Sequence, residues 1–151
     1  MSKPPSISVP EAGWVIRYSY LWRDEARRGR KEGIKDRPCA VVLVTRSDGD
    51  QVRVYVVPVT HAPPSNKSDA LEIPATTKRR LGLDEAPSWV VTNELNIFSW
   101  PGFDLRRAGR PDDPSAYSYG ILPRAMTVDI IEAVRRRHRS GRLRATDRDA
   151  E

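Results

Sequence analysis

Pro38-Cys39-Ala40-Val41-Val42-Leu43-Val44-Thr45 and Gln51-Val52-Arg53-Val54-Tyr55-Val56-Val57-Pro58-Val59-Thr60 are two apolar, β-branched runs separated by Arg46-Ser47-Asp48-Gly49-Asp50. Residues branched at Cβ favour extended backbone, and Asp-Gly supplies the positive-φ positions of a tight hairpin turn. The stretch therefore predicts two adjacent antiparallel strands. The first run is nearly continuous in its apolar character, so that strand is expected to be buried.

Upstream, Trp14, Ile16, Tyr18, Tyr20 and Trp22 fall on every second position, the period of a strand with one buried face. Between this strand and the hairpin, residues 23–37 carry seven basic and four acidic side chains with Gly29 and Gly33 as breakers. They read as a long charged loop with at most one helical turn at its start. Downstream, Ala70 to Ile73, Ser88 to Thr92, Asn96 to Trp100 and Tyr119 to Leu122 read as short strands. Ala75 to Leu81 reads as two helical turns between Pro74 and Gly82. Residues 101–117 hold three prolines and two glycines and read as an irregular connection. Pro123 opens a helix in which Met126, Ile130, Ile131 and Val134 recur at helical spacing, with acidic residues early and arginines late, and Gly141 is its expected stop.

The expected fold class is mainly β with minor α: a small, strongly bent antiparallel sheet or half-barrel with a C-terminal helix. Residues 1–12 are read as a flexible Pro- and Ser-rich lead-in, 13–141 as a single domain, and 142–151 as a charged, frayed tail.

In 151 residues, 26 Lys and Arg stand against 20 Asp and Glu, a formal charge of +6 with a pI near 9.8. This balance favours a polyanionic partner, nucleic acid first. Arginine-rich composition by itself would produce the same excess. The single Cys39 has no internal disulfide partner and sits within a buried run, where a structural thiol is the expectation. Together with only His61 and His138 it offers no metal-ligand spacing, so no metal or other cofactor is expected. No run approaches the ~20 apolar residues that span a bilayer, and the first residues lack an apolar leader core, so a cytoplasmic protein with no membrane partner is expected.

The order Gly13-Trp14-Val15-Ile16, a charged loop, Arg37-Pro38-Cys39-Ala40-Val41-Val42-Leu43, then Val57-Pro58-Val59-Thr60 resembles the PemK/MazF-like toxins of type II toxin-antitoxin systems. The resemblance runs from about Gly13 to Arg137. It implies an SH3-like β-barrel, a symmetric homodimer, and a metal-independent endoribonuclease of single-stranded messenger RNA silenced by a cognate antitoxin. It places the family's key arginine at Arg37, its key threonine at Thr60, and its upstream carboxylate at Glu32. The loop between the first two strands is longer and more basic than the family's usual one, and Pro101 to Ser118 resembles an addition.

Metal-free RNA cleavage uses the neighbouring 2′-OH as nucleophile, so a protein must orient it, assist proton transfer and stabilise charge on the phosphorane. Arg37 suits the last task through its planar fork, and Pro38 restricts it to extended backbone. Thr60 can hydrogen-bond the phosphate or the 2′-OH, and His61 has the ordinary pKa of ~6.5 best suited to acid/base work. The proton acceptor is open between Glu32 and His61. Arg27, Arg28, Arg30, Lys31 and Lys35 are the candidates for RNA-backbone contacts, and Trp22 for base stacking. Arginines 135–137, 139, 142 and 144 can extend that track or simply complement the helix dipole. The structural alternatives are a strand-entry charge for Arg37 paired with Asp36 or Glu32, an ordinary strand residue for Thr60, a solvated loop residue for His61, and a core tryptophan for Trp22. Two other classes compete with the ribonuclease: a non-catalytic SH3-like module that binds a partner protein or nucleic acid, and an unrelated small basic enzyme.

Overall fold

In a computed structural model of the chain, residues 9–29, 35–47, 49, 51–102, 104–108 and 116–149 are described. The hairpin forms as its sequence predicts: β2 (Arg37–Arg46) and β3 (Val52–Thr60) run antiparallel from Arg46 opposite Val52 to Cys39 opposite Pro58. Gly49 lies in the turn with φ +88, a backbone conformation that costs a glycine little. A register shift between Val41 and Leu43 marks a bulge, which adds local twist to the hairpin.

The remaining elements build on this pair. Strand β1 (Trp14–Tyr18) joins β2, and its far edge is shared by β7 (Leu105–Arg106) and β8 (Ser118–Ile121). The far edge of β3 is likewise divided, between β6 (Glu94–Ser99) and β5 (Trp89–Val91), with β4 (Ala70–Glu72) beyond β5. The last strand, β9 (Arg144–Asp147), pairs with β6 and is parallel to it, whereas the other pairings are antiparallel. Helices α1 (Arg23–Arg27), α2 (Ala75–Arg80) and α3 (Arg124–Arg139) complete the fold. Among the described residues, no helix is long and apolar enough to cross a membrane.

Apolar residues run consecutively through β2 and β3 because both faces of the sheet are covered. Val15, Ala40, Val42, Val57 and Val59 face Leu81, Leu122 and the α3 residues Ile130 and Val134. Their neighbours Ile16, Cys39, Val41, Val54 and Val56 meet Tyr18, Tyr20, Phe98 and Leu105, a cluster drawn from the strands themselves and the segment that follows β1. The mainly β architecture with a C-terminal helix over one face of an antiparallel sheet is as expected. Tyr18 stacks on Phe98 at 4.4 Å between ring centroids. Cys39 is fully buried in this cluster, and burial pushes its thiol pKa well up, as for a structural thiol.

Three expectations change. The first strand ends at Tyr18, not Trp22, because side chains of β6 capture the chain beyond it. Asn96 accepts from Leu21 N–H at 2.9 Å and donates to Leu21 carbonyl at 2.8 Å. Glu94 accepts from the Tyr20 hydroxyl at 3.0 Å and from Arg23 N–H at 3.1 Å. The irregular connection contains a short strand, β7. The expected frayed tail is, through residue 149, part of the fold: β9 lies in the sheet and the Arg148 side chain, 4% exposed, donates to Tyr18 hydroxyl, Ser19 carbonyl, Asn96 and Asp104. Backbone pairing and one buried arginine fix this segment, neither of which leaves an apolar pattern.

Candidate functional site

Arg37 opens β2 and Thr60 closes β3, each two residues beyond the Cys39–Pro58 pair, so both lie at the same end of the hairpin. Both line a cleft of about 640 Å³, which is also bordered by Trp22, Lys35, His61, Asp84 and Tyr119. Hydrogen bonds from β6 to residues 20–23 hold Trp22 at the start of α1. The Arg37 guanidinium lies 4.9 Å from the centroid of the Trp22 ring, a cation–π arrangement.

Arg37 donates from Nη1 to the Val59 carbonyl at 3.4 Å. Its buried Nε has no hydrogen-bond partner. Asp36, a candidate partner from sequence, turns instead to Arg17 at 3.5 Å and Arg106 at 3.7 Å. Arg37 therefore has no ion-pair partner among the described residues and retains donor capacity within the cleft. A buried donor left unsatisfied costs ~1–3 kcal/mol.

The Thr60 hydroxyl accepts from Ala62 N–H at 3.1 Å, which leaves its own proton available to donate. His61 Nε2 lies 2.8 Å from Asp84 Oδ2. The other carboxylate oxygen of Asp84 accepts from Lys78 Nζ at 2.8 Å. Lys78, on α2, is only 4% exposed, and its ammonium also donates to Ser88 Oγ at 2.6 Å and to the Ala86 carbonyl. Hydrogen bonding from Lys78, with His61 close by, holds the Asp84 carboxyl below the usual carboxylate range. The Asp84 carboxylate lies within hydrogen-bonding distance of the imidazole and orients it. Burial raises the Tyr119 phenol above its usual pKa, so its hydroxyl remains a donor at neutral pH.

Arg37, Thr60, His61, Trp22 and Lys35 thus share one cleft. Arg27 lines a different concavity with Arg23, Arg142 and Arg144, and Arg28 is exposed beyond the end of α1. Glu32, Arg30 and Lys31 lie outside the described residues. The residues that sequence reasoning missed are Asp84, Lys78 and Tyr119, which come from α2, the loop after it, and β8. A pairing pattern connects none of them to His61, although Asp84 two residues after Gly82 was a visible loop carboxylate. Among the described residues, no three His, Cys, Asp or Glu side chains come together as a set that could hold a metal ion.

The constellation supplies an anion-binding guanidinium, a hydroxyl donor, and an imidazole on a fixed carboxylate beside a tryptophan face. Compared with family models, curated proteins and solved structures, the chain matches none.

Proposed function

We propose that the protein is a toxin-like endoribonuclease that cuts single-stranded RNA without a metal, by attack of the 2′-OH on the adjacent phosphate. The observation that carries this reading is an arginine with an unsatisfied buried donor sharing a cleft with a carboxylate-anchored histidine. Arg37 binds the non-bridging oxygens and neutralises the charge that grows on them in the phosphorane. His61 removes the 2′-OH proton and Asp84 stabilises the imidazolium that results. The P–O5′ bond breaks to leave the 2′,3′-cyclic phosphate, and the departing 5′-oxygen takes a proton back from that imidazolium or from water. Thr60 orients the phosphate or the 2′-OH, and Trp22 offers a face to a neighbouring base. Of the two candidate proton acceptors, Glu32 and His61, the proposal takes His61, which lines the cleft with Arg37. The sequence resemblance to PemK/MazF-like toxins supports the same chemistry at Arg37 and Thr60. It adds to the proposal closure of the sheet into an SH3-like barrel, a symmetric homodimer and control by an antitoxin protein.

Incubation with single-stranded RNA in EDTA should yield discrete fragments ending in 2′,3′-cyclic phosphate. Arg37→Ala should lower the rate by ~10²–10³-fold, the usual cost of removing a transition-state donor, with the far-UV spectrum unchanged. Undiminished cutting by that variant would refute the assignment of Arg37. Salt-sensitive RNA binding without cutting would instead identify a binding module, and a requirement for added divalent metal would identify a different enzyme class.

A further inference from the structure

We propose that a second, arginine-lined cleft beside the first grips the phosphodiester backbone of the RNA strand that flanks the phosphate held at Arg37. This rests on the ribonuclease reading and names how the longer substrate is held. The concavity, about 570 Å³, is bordered by Arg23 and Arg27 of α1, Arg137 of α3, and Arg142 and Arg144 from the chain that follows α3.

Its three carboxylates leave four of its five arginines without an ion pair among the described residues. Asp69 is paired with Arg137. Glu94 is bound by the Tyr20 hydroxyl and Arg23 N–H; burial raises its pKa, while the Arg23 charge lowers it. Asp24 is the remaining acid, on the exposed side of α1. The guanidinium groups of Arg23, Arg27, Arg142 and Arg144 have no hydrogen-bond or ion-pair partner among the described residues. They come from separate segments, so helix electrostatics does not account for their convergence: Arg142 and Arg144 lie beyond the end of α3, and Arg23 and Arg27 belong to another helix.

Unpaired guanidiniums that share one polar concavity repel each other, and a polyanion relieves the repulsion while filling their donor forks. The chain also connects this cleft to the first. Trp22 lines one and Arg23 lines the other, so a strand whose base stacks on Trp22 needs only to cross the start of α1 to reach the arginines. This continuity favours nucleic acid over an acidic peptide, for which the tryptophan face has no use.

The test measures binding of uncleavable 2′-O-methyl RNAs of about five and about fifteen nucleotides, lengths within the range that single-strand grooves cover. The wild type is compared with Arg142→Ala/Arg144→Ala, at exposed positions, and with Arg37→Ala, at several salt concentrations. The double variant should bind the long RNA at least tenfold more weakly at moderate salt and leave the short one within about twofold. Loss of two phosphate contacts at ~0.7 counterions each should reduce the slope of log K against log salt by ~1.4 for the long RNA only. Unchanged binding of the long RNA, equal loss for both lengths, or displacement of the long RNA by a glutamate-rich peptide from the wild type but not from the double variant would each overturn the proposal. Cleavage assayed in parallel separates the two readings. Length-dependent loss of binding in a protein that never cuts RNA supports the second cleft and refutes the ribonuclease, whereas cutting with no length dependence does the reverse.

Discussion

Replacing Lys78 with Met tests how the acid/base pair is supported. The substitution retains most of the aliphatic stem of a side chain that is 4% exposed and removes an ammonium whose three protons reach Asp84, Ser88 and the Ala86 carbonyl. Removing one partner of a buried ion pair costs ~3–5 kcal/mol when the other charge is stranded. Asp84 is 56% exposed and recovers water, and Ser88 Oγ already donates to the Ala86 carbonyl at 3.3 Å, so only part of that cost applies. One lost charge-assisted hydrogen bond, ~1.5–3 kcal/mol, sets the scale, and we expect a destabilisation of ~2–3 kcal/mol. At ~2–4 °C per kcal/mol for a chain of this size, the midpoint should fall by ~4–12 °C. Urea unfolding followed by tryptophan fluorescence measures the difference at pH 7. The folded-state pKa of Asp84 is depressed from 3.8, so its contribution is fully present above that value and is lost as pH falls through the lower folded-state pKa. The gap between wild type and variant should therefore narrow below about pH 3.8. A gap under ~0.5 kcal/mol at pH 7, or one that does not narrow in acid, would refute the assignment of Lys78 as the anchor of Asp84.

Two further outcomes can be checked by the same unfolding assay. Arg148→Met should cost ~2–4 kcal/mol, because it removes the donor to the Tyr18 hydroxyl and the charge-assisted hydrogen bond to the largely buried Asp104 carboxylate, which then keeps only Arg106 at 3.9 Å among the described residues. Glu94→Gln keeps the oxygen that accepts from Tyr20 and Arg23, and should gain stability relative to wild type between pH 4 and pH 8. The folded-state pKa of Glu94 is raised above 4.5, so its favourable contribution exists below that value and is lost as pH climbs through the folded-state pKa.

Strands β2 and β3 were legible because burial on both faces turns a strand into an unbroken apolar run, with Asp-Gly at the turn between them. Strand β1 was legible from its alternation, although Val15 and Ile16 bury both of its faces. The helix around Ile130 and Val134 was legible for the complementary reason, an apolar stripe at helical period that covers one face of the sheet. The limits of β1 were not. Tyr20 and Trp22 continue the alternation of Trp14–Tyr18, but Asn96 and Glu94, distant in sequence, outcompete strand pairing for the backbone of residues 21 and 23. The pairing of β9 depends on Arg148 entering the core, and an arginine in a charged segment reads as solvated in the absence of its partners.

In the candidate site, Arg37 opens β2 and Thr60 closes β3, so the hairpin by itself brings both to one end of the sheet. His61 follows by adjacency. Its carboxylate does not, because nothing local distinguishes Asp84 from the other acids that follow α2. The distinguishing feature is a lysine 4% exposed, the side-chain type least expected in a core. An exposed His61–Asp84 pair contributes ~0–1 kcal/mol by itself, too little to account for burying an ammonium behind it. Stability alone would be served as well by apolar groups at both Lys78 and Ser88, since replacing both partners of a buried polar contact can be nearly neutral. What apolar groups cannot do is hold Asp84 aimed at His61. A Lys78→Met/Ser88→Ala variant that recovers stability but not cleavage would separate those two roles.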